Sequence, residues 1–165
     1  MKIPFKRRIP AQFKLFDDRE TKYKMLLGGY GVGKTFWLWM ETLRLSYENK
    51  DVPGGILSPS LPEFKRDFLP MALEHIQLYL PNAKYYSAGR YGIHFRFPWT
   101  KAPIFVFSAE RAIKGPNLGW GVINEMSLMP KEVVFQFFAR MRNPDAKVPQ
   151  RCLGGTPEDD YGLVE

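Results

Sequence analysis

Apolar positions along the chain fall into brief runs and helical stripes, and the two alternate. Tyr23–Leu27 is a short, mainly apolar run closed by Gly28-Gly29, the pattern of a buried strand meeting a turn. From Thr35 onward, Phe36, Trp39, Met40, Leu43 and Tyr47 recur at helical spacing, which predicts a helix directly after the glycines. Asp51-Val-Pro-Gly-Gly55 predicts a turn and Ile56-Leu57 a brief second strand. Ser60-Leu-Pro-Glu63 has the form of a capping box, in which serine and glutamate each satisfy one orphan amide of a starting helix. That helix is predicted to carry Leu69, Leu73, Ile76 and Leu80 on one face, with Pro70 kinking or splitting it and Pro81 closing it.

Further on, Ile93, Phe95 and Phe97 alternate with His94 and Arg96, as in a half-exposed strand. Ile104–Phe107 is a continuous apolar run suited to a buried strand, and Val122-Ile123 is another that runs into Asn124-Glu125. A helix is predicted from about Pro130 to Arg142, with Val134, Phe137, Phe138 and Met141 inward, and Arg151–Leu153 is the last strand. Strands alternating with helices imply an α/β fold: a mostly parallel central sheet flanked by helices, with an inserted β-hairpin. Residues 1–22, basic and then acidic at Asp17, Asp18 and Glu20, read as a lead-in segment to a core over 23–165.

Composition narrows the class. The 165 residues allow one domain of ordinary size, and 45% apolar with 25% charged residues is a globular balance. A net charge of +7 favours polyanionic partners, nucleic acid or anionic membrane. The single cysteine, Cys152, excludes an internal disulfide and a cysteine-rich zinc site, and it is expected to be a buried, inert thiol. His75 and His94 lack partners at metal-ligand spacing. The longest apolar runs, Phe36–Met40 and Ile104–Phe107, are too short to span a bilayer, so a soluble intracellular domain is expected.

Gly28-Gly29-Tyr30-Gly31-Val32-Gly33-Lys34-Thr35 satisfies G-x-x-x-x-G-K-[ST] in full, between a predicted strand and a predicted helix. Glycines allow successive amides to turn onto phosphate oxygens, and the helix start adds its partial positive charge. Lys34 supplies a mobile cation for the terminal phosphates, and the Thr35 hydroxyl is a ligand for Mg²⁺. The implied cofactors are ATP and Mg²⁺. Such sites need a second strand ending in a carboxylate, and Glu125 is placed to align the attacking water. Asn124 stands where the metal-holding acid is expected; its amide oxygen accepts a hydrogen bond from Thr35 or a metal-bound water but lacks the charge.

The phosphate loop, the glycine-rich approach to Asn124-Glu125 and the later Gly-Gly-Thr-Pro together resemble the N-terminal ATPase half of a bacteriophage large terminase, the DNA-packaging motor. The resemblance covers most of the chain and implies a RecA-like P-loop core. It places Gln12, within Ile9-Pro-Ala-Gln12-Phe13, near the adenine. It makes Thr156, within Gly155-Thr156-Pro157, the sensor that couples the γ-phosphate to domain movement. The partners it implies are double-stranded DNA held by its backbone, a portal protein, a small terminase subunit and further copies of the chain in a ring. The place it implies is the infected bacterial cytoplasm, at the procapsid portal vertex, with no membrane.

Three departures stand out. Many such proteins carry a basic residue where Tyr30 lies, and Asn124 replaces the usual acid. The sequence also stops soon after the coupling motif, without the carboxylate cluster of a nuclease domain, so a fragment without DNA-cleaving activity is expected. Arg111, leading toward the acidic strand, is the candidate for neutralising the transition state of its own or a neighbour's nucleotide; a solvated surface arginine is the alternative. Arg140 and Arg142 fit a helix end. Lys6, Arg7, Arg8 and Lys14 form a basic start that either touches phosphates or stays solvated. Two other readings stay open: a helicase or recombination ATPase, and a nucleotide-binding assembly module with little turnover.

Overall fold

Seven strands form one sheet in the order β1-β7-β6-β2-β5-β4-β3. The structure, a computed structural model, describes residues 10–88, 90 and 92–157. The strands are β1 (Tyr23–Leu27), β2 (Gly54–Ser58), β3 (Lys84–Tyr86), β4 (His94–Arg96), β5 (Ile104–Ser108), β6 (Trp120–Ile123) and β7 (Arg151–Gly155). The helices are α1 (Pro10–Asp17), α2 (Lys34–Glu48), α3 (Leu61–Glu63), α4 (Leu69–Tyr79) and α5 (Lys131–Arg140). A π-helical turn (Phe64–Phe68) joins α3 to α4, and a 3-10 turn (Met126–Leu128) follows β6.

Strands β1, β7, β6, β2 and β5 pair in parallel, so their carboxyl ends share one edge of the sheet. The hairpin β3–β4 adds antiparallel strands beyond β5. This is the α/β arrangement expected from the sequence, with the hairpin inserted between α4 and β5. Successive strand residues point to opposite faces. Accordingly Ile56, Val122 and Cys152 join Trp39, Phe64 and Phe68 in one core, while Leu57, Ile123 and Leu153 join Phe137 and Val134 of α5 in the other. Burial pushes the Cys152 thiol well up, which keeps it protonated and inert. Lys6, Arg7 and Arg8 lie outside the described residues.

Four local expectations need correction. Strand β1 forms as expected but is not buried throughout: it lies at the end of the sheet, Tyr23, Met25 and Leu27 are exposed, and the fully inward position belongs to Lys24. The buried face around α4 is Phe64, Phe68, Ala72 and His75, whereas Leu73, expected inward, is 40% exposed. The cause is the π-helical turn, in which the Leu69 amide donates to Phe64 O, five residues back. One extra residue in a turn rotates everything downstream by about 100°. Pro70 has no amide to give Arg66 O, and the widened turn lets the helix continue through it instead of breaking. Tyr47 leaves the core stripe of α2 and is exposed beside the Trp99 ring, 6.3 Å away. His94 is buried although the alternation predicts it outward: β4 is flanked by β3 and β5, and the Tyr86 ring stacks on the imidazole at 4.6 Å.

Candidate functional site

The loop between β1 and α2 lies at the carboxyl edge of the sheet, because β1 ends at Leu27 and α2 starts at Lys34. Gly31 and Gly33 take left-handed backbone, with φ of 80° and 77°. Side chains resist that conformation, and a Cβ on Gly33 would also lie 3.0 Å from Gln12 Nε2. Gly33 caps α2, so the free amides of the first helical turn face the loop.

Lys34 is buried, and its ammonium donates to the carbonyls of Gly28 (2.9 Å) and Gly29 (3.1 Å). The same ammonium is 3.8 Å from Glu125 Oε1. Glu125 follows β6 with φ 53° and ψ 55°, a left-handed conformation unusual for a residue with a Cβ. That turn throws its carboxylate back over the sheet edge, where Oε2 accepts from the Thr156 hydroxyl at 3.0 Å. Thr156 directly follows β7, which lies between β1 and β6, so strand order alone brings Lys34, Glu125 and Thr156 together.

Asn124 is 2% exposed, and its Oδ1 has no partner among the described residues. Ser58, at the end of the neighbouring β2, is fully buried, and its hydroxyl is likewise unpartnered among the described residues. A buried orphan acceptor beside Glu125 fits a site awaiting a donor such as a metal-bound water. Thr35 is the second residue of α2, directly after Lys34, at the position where the sequence pattern expects a Mg²⁺ ligand. Gln12 reaches the loop from α1, its Nε2 donating to Val32 O at 2.8 Å.

Arg111 is not gathered with these groups. It is exposed beyond the end of β5, with its amide on Ser108 O. Four strand spacings separate β5 from β1, about 19 Å across the sheet. A cavity of about 100 Å³ is instead lined by Tyr30, Glu63, Arg66, Asp67, Asn124 and Glu125, among others. Its lining from the π-helical turn was missed in the sequence. The signal available was the capping box itself, which starts a helix right after β2, the strand beside β6.

The fold and the loop together define an α/β core, a mostly parallel sheet with a G-x-x-x-x-G-K-[ST] loop at its carboxyl edge. Solved structures carry the comparison further. The chain superposes on the large terminase of a thermophilic bacteriophage with a TM-score of 0.74 at 14% identity, over 90% of this chain and 39% of that one. For the ATPase domain of the Thermus phage P74-26 large terminase the values are 0.65 and 15%, over 94% and 67%. For the bacteriophage HK97 large terminase they are 0.71 and 12%, over 90% and 33%. The chain therefore spans a third to two thirds of the lengths of these chains, and it shares its fold with that part of each. No protein-family model and no curated protein matches the sequence.

Proposed function

We propose that this chain is the ATPase motor core of a viral DNA-packaging terminase, coupling ATP hydrolysis to translocation of double-stranded DNA into a procapsid. The observation that carries the proposal is the cluster of Lys34, Glu125 and Thr156 over a complete phosphate loop. The shared fold with phage large terminases supports the packaging context.

ATP lays its triphosphate along the amides of the loop and the start of α2, and Lys34 exchanges the Gly28 and Gly29 carbonyls for phosphate oxygens. Freed from the ammonium, Glu125 orients the attacking water and takes its proton while Thr156 Oγ holds the other carboxylate oxygen. Thr35 and, through water, Asn124 would hold Mg²⁺, which offsets charge on the phosphates. Gln12, already seated on the loop, contacts the adenine. Arg111 serves a neighbour's nucleotide in a homo-oligomeric ring, consistent with its exposed place far along the sheet edge. DNA is gripped by its backbone irrespective of sequence, so affinity falls steeply with salt. The portal protein and small terminase subunit complete the assembly, at the portal vertex in the infected bacterial cytoplasm. No helix among the described residues is long and apolar enough to cross a membrane.

The test is ATP binding and hydrolysis by the full chain. Lys34→Ala should weaken binding at least tenfold. Glu125→Gln should keep binding and lose about 10²–10⁴ in turnover. Equal hydrolysis by wild type and Glu125→Gln would refute the role of Glu125, and undiminished binding by Lys34→Ala would refute the site. Asn124 favours one second reading, a nucleotide-binding assembly module: the wild type would then bind without turnover, and Asn124→Asp would restore it.

A further inference from the structure

Phosphoryl transfer needs positive charge near the γ-phosphate beyond what the loop lysine supplies. In this chain the loop offers no second cation, since Lys34 is the one basic residue of Gly28–Thr35. Arg111 follows β5, a strand about 19 Å across the sheet from the loop strand β1. One other arginine shares a cavity with the water-aligning carboxylate. Arg66 lines the space of about 100 Å³ bounded also by Tyr30 of the loop, Asn124 and Glu125.

The backbone explains how it arrives there. Arg66 is the middle residue of the π-helical turn Phe64–Phe68, whose phase is set between the capped start of α3 and Pro70. Phe64 and Phe68 anchor the turn in the core with no exposure, which directs the intervening residues away from it. Asp67 holds the guanidinium on one edge, accepting from Nε at 2.7 Å and Nη2 at 2.8 Å. Nη1 has no partner among the described residues. The acids lining the cavity are already engaged: Glu63 with the Ser60 hydroxyl at 3.0 Å, Asp67 with Arg66, and Glu125 with Thr156. Asn124, whose buried Oδ1 has no partner among the described residues, lines the same cavity.

We propose that Arg66 is a catalytic residue in cis, its free Nη1 edge binding the γ-phosphate of ATP held on the loop of the same chain. This rests on the nucleotide reading of the loop and extends it by naming the group that grips the terminal phosphate. The arginine is 70% exposed, so it must swing only within its own surface arc, with Asp67 acting as the positioning residue.

The experiment measures affinities of the full chain for ADP and for a non-hydrolysable ATP analogue, each with Mg²⁺, by calorimetry. Arg66→Ala should lose tenfold or more in affinity for the triphosphate and less than twofold for ADP. Arg66→Lys should recover part of the loss, since a point charge replaces a fork. Lys34→Ala should lose both ligands. If Arg66→Ala binds both nucleotides as the wild type does, the assignment of Arg66 is overturned while the loop reading stands. If the wild type binds neither, the loop reading falls and takes this assignment with it. Circular dichroism of Arg66→Ala should be unchanged, because the side chain is exposed and packs nothing into the core.

Discussion

Removing the Glu41 carboxylate should destabilise this protein more than any change at its surface. Glu41 on α2 and Lys24 on β1 are both fully buried, 3.3 Å apart. Arg44, one turn on, is 4% exposed and donates Nε to Glu41 Oε2 at 2.8 Å and Nη1 to Glu48 at 2.7 Å. Lys24 also donates to Leu15 O of α1. Gln150, at the start of β7, accepts from Arg44 and donates to Asp18 O and Thr21 O. Burial pushes the Glu41 carboxyl up and the Lys24 ammonium down, so each charge is held there by its partners against the loss of water. Glu41→Ala leaves an ammonium and part of a guanidinium buried and unpaired, a loss of about 3–5 kcal/mol. For a domain of this size that lowers Tm by about 6–20 °C. Urea unfolding followed by fluorescence of the buried Trp37, Trp39 and Trp120 reads it directly. The double variant Lys24→Met, Glu41→Leu should lose less than Glu41→Ala, because it strands no ammonium and leaves only the Arg44 contacts to Glu41 unmade. A loss below about 1 kcal/mol for Glu41→Ala would refute the reasoning.

Three further outcomes follow from particular contacts. Gly54→Ala puts a Cβ 2.2 Å from the Trp120 ring, which is held in the core, so urea unfolding should report a loss of about 1–3 kcal/mol or more. Asp18 is held at about 2, below its ordinary 3.8, first by the Thr21 side chain and then by the Thr21 amide. A lowered carboxyl stabilises above its unfolded value and loses that contribution as pH falls from about 3.8 toward 2, so Asp18→Asn should flatten the decline of Tm in that window. Asn124→Asp should tighten Mg²⁺ in the presence of nucleotide, read as a lower metal midpoint in a titration of bound ATP analogue.

Local patterns were legible where one stretch of chain carries the whole signal. The phosphate loop is such a stretch, and so are the strands at Tyr23, Ile104 and Val122, whose apolar runs end at turn residues. The serine half of the Ser60–Glu63 capping box was also readable: Ser60 Oγ accepts from the Glu63 amide at 3.2 Å, whereas the Glu63 carboxylate accepts from the Ser60 hydroxyl at 3.0 Å. Arg66 escaped because its place depends on the π-helical turn, and no periodicity of 3.6 anticipates an inserted residue. The same insertion misassigned Leu73. His94 escaped because its burial comes from strands on either side, a non-local fact, and the exposure of β1 follows equally from its place in the strand order. The nearness of Thr156 to Glu125 is of that kind too: it depends on β7 slotting between β1 and β6, which spacing along the chain does not encode. Asn124 departs from the acidic pattern in sequence, while the burial of its unpartnered oxygen follows from β6 lying between β7 and β2.

Strand β7 is bonded along both margins, so it cannot slide past either neighbour and behaves as a rail about 17 Å long. At its near end Gln150 is fastened to the turn after α1, and at its far end Thr156 is fastened to Glu125. Helix α1 in turn touches the phosphate loop through Gln12, and the loop touches Glu125 through Lys34. The parts close into a circuit of stiff members with four polar joints, and slack at any one joint must be taken up by the others.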